Sequence, residues 1–318
     1  MKIVFLETAC LGAGINYDSF SKLGEVEKYE YTSLEELPGR IKDADIIVLN
    51  KIPMNESTLK EAEKLKLICI TATGTNIVDF PYTNERGILV TNVKGYSTPT
   101  VAQHTFALYF YVAEQIAYYD NCVKSEFYSK SEMFVHHGPE FHDLSGKTWG
   151  IVGLGDIGKS VAKVAEAFGC QVQYFSTSGK NHSSDYKQVS FDELLETSDV
   201  VSIHAPLNEA TQDLFKDEAF RKMKKNAILL NLGRGPIVNE QALADAINNH
   251  EIAGAGLDVF TVEPLPLTSP LFKVKEKERM VLTPHIAWAS VEARTRLIQE
   301  VYLNMEAFCN GENRNIVK

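Results

Sequence analysis

The sequence predicts an α/β fold with two parallel-sheet domains, and three observations lead to that prediction. The chain has 318 residues, which is more than one hydrophobic core usually serves. Short apolar segments of strand length alternate with segments of helical periodicity, a pattern typical of parallel sheets covered by helices. A glycine-rich turn, Gly153-Leu-Gly-Asp-Ile-Gly158, lies between one such strand and one such helix.

The first third of the chain predicts a small α/β domain. Its predicted strands are Ile3–Leu6, Val26–Tyr31, Ile46–Asn50 and Leu67–Thr71, and its predicted helices are Leu34–Lys42 and Ser57–Lys64. Ligands of open α/β sheets bind beyond the carboxyl ends of the strands, which here places the backbone of Thr73, Gly74 and Thr75 near a ligand. That backbone is either an anion site or an ordinary glycine loop. Lys51, after the neighbouring strand, either faces the same ligand or is solvated.

The most apolar stretch, Val101–Tyr119, predicts a buried helix or a subunit contact. Four polar residues interrupt it, namely Gln103, His104, Glu114 and Gln115, so it does not read as a membrane span. The chain breaks just before it at Tyr96–Pro99, where Ser97 or Thr98 is a candidate helix cap. We place the first crossing between domains at this break.

The glycine turn predicts a dinucleotide site. Gly153 permits a tight turn, Gly155 lets the backbone approach a pyrophosphate, and Gly158 allows close packing of helix on strand. The amino end of the following helix then offers free N–H groups and a positive dipole end to the phosphates. The alternative is a glycine-rich loop without a ligand, but the strand before the turn and the helix after it favour the dinucleotide.

The second strand of this nucleotide fold, Gln171–Phe175, leaves the cofactor open between NAD and NADP. An acidic residue is expected at its end to bind the ribose hydroxyls, but Ser176 stands there, followed by Thr177. No carboxylate is present to repel a 2′-phosphate, and the hydroxyls with Lys180 can accept one. Ser176 can equally bond the free ribose.

Further strands predict where the chemistry lies. They are Val200–Ile203, Ile228–Leu232, Ala255–Val259 and Met280–Leu282. Arg234, Asp258 and His285 stand at or near the carboxyl ends of three of them, the edge where the cofactor is expected. A final helix, capped by Ser290 and ended by Gly311, packs back on the first domain in this prediction. The predicted domains are therefore 1–98 with 288–318, and 99–287.

Hydride exchange between an alcohol and a nicotinamide needs an acid–base group and a cation for the substrate's charge. Histidine titrates near neutral pH, which makes His285 the candidate acid–base group. Glu263 can hold the second ring nitrogen and fix the tautomer, and Arg234 offers a two-pronged clamp for a carboxylate. Each residue also has an alternative without a catalytic role. His285 can be an ordinary polar residue at a strand end, Glu263 a solvated loop carboxylate, and Arg234 part of a structural ion pair.

Composition excludes several other classes. The net charge is −10 and no basic run offsets it, which argues against nucleic acid as a partner. The five cysteines are scattered without a metal spacing, and the amino-terminal apolar segment is too short for a signal sequence. His136, His137 and His142 read as surface or interface residues, so we expect no metal. The expected location is the cytoplasm.

The whole chain resembles the D-2-hydroxyacid dehydrogenase family. The matching segments are Gly153–Gly158, Asn231–Val238, Ala253–Phe260, Glu263–Pro266 and Thr283–Ala287. The resemblance implies that Arg234 binds the substrate carboxylate and oxo group, that His285 is the acid–base group and that Glu263 supports it. It also implies two Rossmann-like domains, a flavodoxin-like substrate domain and the dinucleotide-binding domain, with the active site in a cleft between them, and a homodimer.

The glycine motif, the positions at strand ends and the resemblance together give the residues expected to contact the ligands. The expected cofactor contacts are Thr73, Gly153, Gly155, Asp156, Ile157, Gly158, Ser176, Thr177, His204, Ala205, Pro206, Thr211, Leu232, Gly233, Arg234, Asp258 and His285. The expected substrate contacts are Lys51, Gly74, Thr75, Arg234 and His285. Asp258 is expected near the carboxamide of the cofactor.

Within the family, four segments look most like glycerate dehydrogenases, also called hydroxypyruvate reductases. They are Asn50–Pro53, Ala72–Asn76, Gly95–Thr98 and Ile286–Ser290. The resemblance therefore implies a small 2-oxo or 2-hydroxy acid as the partner molecule, with hydroxypyruvate or glyoxylate favoured. The alternatives are a D-lactate-like or phosphonate dehydrogenase on the same scaffold, or a nucleotide-sensing regulatory protein.

Overall fold

A computed structural model of the chain describes residues 1–180 and 182–318. The described chain divides into two compact units, Met1–Ser97 with Ala289–Lys318, and Thr98–Trp288. Each unit contains one sheet rich in parallel strands, so the predicted α/β class is confirmed.

The helices and strands follow in chain order. Residues before Thr98 form β1 (Lys2–Phe5), β2 (Glu25–Lys28), α1 (Leu37–Ile41), β3 (Ile46–Leu49), α2 (Glu56–Leu59), β4 (Leu67–Ile70), α3 (Phe80–Glu85) and β5 (Leu89–Thr91). The second unit forms α4 (Thr98–Ala113), α5 (Ile116–Lys124), β6 (Thr148–Val152), α6 (Asp156–Ala167), β7 (Gln171–Phe175), β8 (Lys187–Gln188), α7 (Phe191–Thr197), β9 (Val200–Ile203), α8 (Asp217–Lys222), β10 (Ile228–Asn231), α9 (Glu240–Asn248), β11 (Gly254–Leu257) and β12 (Met280–Leu282). The chain then adds α10 (Val291–Cys309) and β13 (Ile316–Val317) to the first unit.

The sheet of the first unit has the order β13-β5-β4-β3-β1-β2. All of its pairs are parallel except β13, which runs antiparallel to β5 at one edge. Every residue of β3 and β4 is buried, which explains why these strands read as unbroken apolar runs. Because β1, β3 and β4 are parallel, the loops that follow them share one edge of the sheet.

The sheet of the second unit has the order β12-β11-β10-β9-β6-β7-β8, and all of its pairs are parallel. The chain proceeds from β6 to β7 and β8 on one side and from β9 to β12 on the other. The direction of winding therefore reverses between β6 and β9, the topological switch point where open α/β sheets bind their ligands. The glycine turn follows β6 directly.

Three predicted helices differ in the structure. The stretch 101–119 is not one helix, because Gln115 between α4 and α5 adopts a left-handed backbone with φ 52°, which a right-handed helix cannot include. The predicted helices over 34–42 and 57–64 are shorter, as α1 and α2. Pro38 lies in the first turn of α1, where its missing N–H costs nothing. No helix of the described residues is long and apolar enough to cross a membrane.

Candidate active site

The three glycines after β6 have three different surroundings. Gly153 has φ +91°, and a Cβ there would lie 2.9 Å from the Ala205 backbone. A Cβ on Gly158 would collide with the carbonyl oxygen of Gly153. Gly155 begins α6 with an ordinary extended backbone, and a Cβ there would meet no atom within 4 Å. The turn and the packing therefore account for Gly153 and Gly158, whereas Gly155 leaves the backbone open to a ligand.

Polar atoms without partners lie near this turn. In the part of the chain that the structure describes, four buried side-chain atoms make no hydrogen bond, and three of them are Ser176 Oγ and both ring nitrogens of His204. Ser176 follows β7 and His204 follows β9, on either side of β6. Burial lowers the pKa of His204 to about 3, so its ring is neutral. Unpaired buried polar groups are costly, so these atoms fit a dinucleotide that would supply their partners.

The loop after β9 is held by Thr211. This residue is fully buried, and its hydroxyl donates to the Pro206 carbonyl at 2.8 Å and accepts from Asn208 N at 2.8 Å. Ala205 is buried against the glycine turn, while Pro206 is exposed. Thr211 therefore shapes this loop, and Pro206 is the member that faces outward.

The other predicted cofactor residues on α6 and after β7 are accessible to different degrees. Asp156 is exposed in the first turn of α6, and Ile157 beside it is half-buried. Thr177 is also half-buried, directly after the buried Ser176.

Arg234 follows β10 on a turn that Asn231 holds. The buried Asn231 side chain donates to Arg234 O at 3.0 Å and accepts from Gly233 N at 3.1 Å. Leu232 is buried, and a Cβ on Gly233 would lie 2.9 Å from Ala205 O. The half-buried Arg234 guanidinium donates to Gly233 O at 2.8 Å, and among the described residues no carboxylate lies within 4 Å of it. A cation without a counter-charge suits an anionic substrate.

His285 and Glu263 form a close pair. Glu263 Oε2 lies 2.8 Å from His285 Nδ1, and its other oxygen accepts from Phe260 N at 3.1 Å. The His285 side chain is 30% exposed and the Glu263 side chain is 20% exposed. Within residues 1–180 and 182–318, His285 Nε2 has no hydrogen-bond partner, so this nitrogen can exchange a proton with a bound molecule. The carboxylate holds the ring by its other nitrogen.

Asp258 lies just beyond β11 and is 1% exposed. Its carboxylate accepts from Thr283 Oγ1 at 2.6 Å, from Ile286 N at 2.9 Å and from Ala287 N at 2.9 Å. Its main-chain oxygen accepts from His285 N at 2.8 Å. Asp258 thus holds the segment that carries His285, whose left-handed φ of +54° is unusual for a residue other than glycine.

Sequence reasoning missed two residues of these networks. His104 Nε2 lies 3.0 Å from Thr283 Oγ1, although the sequence marks His104 only as a polar interruption of an apolar helix. In the first unit, Glu7 Oε2 accepts from the backbone N–H groups of Asn50, Lys51 and Ile52 at 2.7, 2.8 and 3.3 Å. For the contacts of Glu7, the sequence offered one hint, namely a carboxylate two residues after the end of β1.

The loops of the first unit are tied to one another by polar side chains. Asn50 Nδ2 donates to Thr71 O at 2.9 Å, and Thr73 Oγ1 donates to Val93 O at 2.8 Å. Lys51 and Thr73 are exposed, whereas Gly74 and Thr75 are half-buried. The predicted substrate residues of this unit therefore lie on loops that side-chain hydrogen bonds connect at one edge of the sheet.

Comparison with known proteins identifies the family. Residues 106–287 match the model of the D-isomer specific 2-hydroxyacid dehydrogenase NAD-binding domain. A glycerate dehydrogenase of Methylorubrum extorquens is 37% identical over 318 residues, covering 100% of this chain and 99% of the relative. A hydroxypyruvate reductase of Blautia hydrogenotrophica is 36% identical over 325 residues, covering 100% and 99%.

A solved structure agrees over the full length. An acyclic imino acid reductase in complex with NADPH and D-Arg has a TM-score of 0.88 at 28% identity and covers 100% of both chains. The resemblance inferred from the sequence motifs is thus confirmed. The chain belongs to the D-isomer-specific 2-hydroxyacid dehydrogenase family, as an oxidoreductase whose cofactor is a nicotinamide dinucleotide.

Proposed function

We propose that the protein reduces a small 2-oxo acid to the D-2-hydroxy acid, with hydroxypyruvate or glyoxylate as the favoured substrate. The observation that carries the proposal is the pair of Glu263 and His285, 2.8 Å apart, on the sheet edge that also presents Arg234. Among residues 1–180 and 182–318, no carboxylate lies within 4 Å of the Arg234 guanidinium. The names of the relatives, glycerate dehydrogenase and hydroxypyruvate reductase, support the same substrate class.

In this proposal each residue has a defined task. When bound, the reduced nicotinamide supplies a hydride for C2 of the substrate. Arg234 binds the carboxylate and the 2-oxo oxygen, which orients C2 and stabilises the developing negative charge. His285 Nε2 donates a proton to that oxygen, which completes the hydroxyl group. Glu263 keeps the ring oriented and compensates its positive charge before transfer.

The proposed ligand contacts are those implied by the motifs. For the cofactor they are Thr73, Gly153, Gly155, Asp156, Ile157, Gly158, Ser176, Thr177, His204, Ala205, Pro206, Thr211, Leu232, Gly233, Arg234, Asp258 and His285; for the substrate they are Lys51, Gly74, Thr75, Arg234 and His285. The proposal covers both NADH and NADPH, because Ser176 and Thr177 offer hydroxyls where a carboxylate would repel a 2′-phosphate.

The test is an initial-rate measurement at the absorbance of the reduced nicotinamide. Hydroxypyruvate, glyoxylate and pyruvate are each assayed with NADH and with NADPH. His285→Ala should lower kcat by roughly 10²- to 10⁴-fold, the usual contribution of an acid–base group, with little change in cofactor affinity. His182→Ala, at an exposed histidine, is the matched control. Near-normal turnover of His285→Ala would refute the proposed role.

A second candidate is the reduction of an imino acid, favoured by the full-length similarity to the acyclic imino acid reductase. The same assay distinguishes the two, because imine reduction requires an amine in the mixture together with the 2-oxo acid. Turnover of the 2-oxo acid alone supports the first candidate. Turnover that appears only after an amine is added supports the second.

We also propose a homodimer that forms through the segment after α4. Six large apolar side chains of this segment are 43 to 88% exposed: Ile116, Val123, Phe127, Met133, Phe134 and Phe141. Apolar clusters of this kind are typical of protein interfaces. Light scattering after gel filtration should give a dimer mass, and Phe134→Ser should weaken it. Leu267→Ser is the control, because Leu267 is 93% exposed outside this segment.

A further inference from the structure

His104 lies on α4 and has no part in the function proposed above. Its neighbours Val101, Ala102 and Thr105 are buried in the second unit, and its own side chain is 19% exposed. Its ring nitrogen Nε2 is 3.0 Å from Thr283 Oγ1 and 3.6 Å from Asp258 Oδ1. The first distance is a hydrogen bond and the second is too long for one, so His104 reaches Asp258 through the threonine hydroxyl.

The direction of each hydrogen bond follows from the chemistry of the groups. The Asp258 carboxylate can only accept, so Thr283, 2.6 Å away, donates its single hydroxyl hydrogen to it. The threonine oxygen must then accept from His104, which therefore carries hydrogen on Nε2. Burial lowers the pKa of His104, and the nearby Asp258 opposes that shift without reversing it. The imidazole is therefore a neutral donor.

Asp258 also accepts hydrogen bonds from the backbone that carries the proposed acid–base residue, His285. Its carboxylate binds the N–H groups of Ile286 and Ala287, which follow His285, and its carbonyl binds the N–H of His285 itself. The φ of +54° at His285 is unfavourable for a residue other than glycine, so this backbone persists only because its surroundings hold it. A displaced Asp258 carboxylate would release that hold.

We propose that His104 is a positioning residue for the acid–base step, which it supports by donating through Thr283 to Asp258. The inference rests on the proposed function of His285. His104 donates to the Thr283 hydroxyl, and that hydroxyl donates to the Asp258 carboxylate. The carboxylate therefore keeps one orientation and presents its remaining lone pairs to the backbone N–H groups around His285. Without the first donor, the Thr283 hydroxyl is free to rotate away from the carboxylate.

The experiment compares variants that keep or remove the donor. His104→Leu should lower kcat about threefold to tenfold, the effect of one neutral hydrogen bond. His104→Gln should recover most of kcat, because its amide can donate from nearly the same place. Thr283→Val should resemble His104→Leu, and the double variant should be no slower than either. Gln103→Leu, at an exposed position of the same helix, is the control.

Several results would overturn the proposal. They are a normal kcat in His104→Leu, a His104→Gln that is as slow as His104→Leu, or strictly additive losses in the double variant. The ¹⁵N resonances of the histidine rings give a readout that needs no turnover: His104, assigned from its loss in His104→Gln, should be neutral with hydrogen on Nε2 at pH 7. A charged His104 ring, or hydrogen on Nδ1 instead of Nε2, contradicts the proposed hydrogen bonds from His104 through Thr283 to Asp258. A wild-type protein that is inactive on every 2-oxo acid contradicts only the proposed function.

Discussion

Replacing Gly155 and Gly153 separately by alanine tests whether the turn after β6 carries a dinucleotide. The two positions are two residues apart but differ in backbone and space. Gly155 has φ −83° and ψ −162°, a conformation that alanine adopts freely, and its added methyl group would meet no protein atom within 4 Å. Gly153 has φ +91°, and its added methyl group would lie 2.9 Å from the Ala205 backbone.

The expected magnitudes follow from these surroundings. In Gly153→Ala, the left-handed backbone costs about 1 to 2 kcal/mol and the overpacking about 1 to 3 kcal/mol, so unfolding should become easier by roughly 2 to 5 kcal/mol. Gly155→Ala should leave the free energy of unfolding within about 0.5 kcal/mol of wild type or raise it slightly. Its methyl group should nevertheless weaken cofactor binding at least about tenfold, which is 1.4 kcal/mol, because the backbone must approach the phosphates.

Two measurements decide the outcome. Urea unfolding without cofactor gives the stability of each variant, and titration of NADH fluorescence gives its affinity. We expect Gly155→Ala to be stable but to bind NADH weakly, and Gly153→Ala to be destabilised. Unchanged NADH affinity in Gly155→Ala would refute the placement of the phosphates against this turn. An unchanged stability of Gly153→Ala would refute the steric argument.

Three further predictions follow. Glu263→Gln should lower kcat roughly tenfold to a hundredfold, since a hydrogen bond to a charged group contributes about 1.5–3 kcal/mol; an unchanged kcat would mean that Glu263 does not support His285. Burial raises the pKa of Asp199, but its hydrogen bonds, first that from Lys224, outweigh burial and hold the pKa below its usual range. Its stabilisation is therefore present at neutral pH and lost as the pH falls through that lowered pKa, so Asp199→Asn should destabilise the protein in urea by about 1–3 kcal/mol at pH 7 and much less near pH 2. Glu7→Ala should raise the KM for the 2-oxo acid about tenfold with an unchanged KM for NADH, because the loop after β3 loses its three bonds to one carboxylate; a normal KM would make Glu7 structural only.

The stretch 101–119 shows that apolar residues in the sequence do not by themselves locate the end of a helix. The apolar run continues past Gln115, so its hydrophobicity alone gives no reason to end the helix. The backbone nevertheless turns left-handed at Gln115, and a second helix begins. Short elements such as β5, α3 and β13 were not predicted either. Few residues carry their periodicity, and β13 is defined by pairing with β5, which is more than two hundred residues distant in the chain.

By itself, the sequence determined the α/β class, most strands of both sheets, the glycine turn, the residues proposed for catalysis and the family, because each depends on a local pattern or a motif. Only the tertiary structure showed that Glu263 Oε2 lies 2.8 Å from His285 Nδ1, that no carboxylate of the described residues lies within 4 Å of the Arg234 guanidinium, and that Thr283 joins His104 to Asp258. His104 and Thr283 are 179 residues apart in the chain. Contacts between distant residues depend on how the parallel strands and α4 are packed, and no local pattern in the sequence encodes that arrangement.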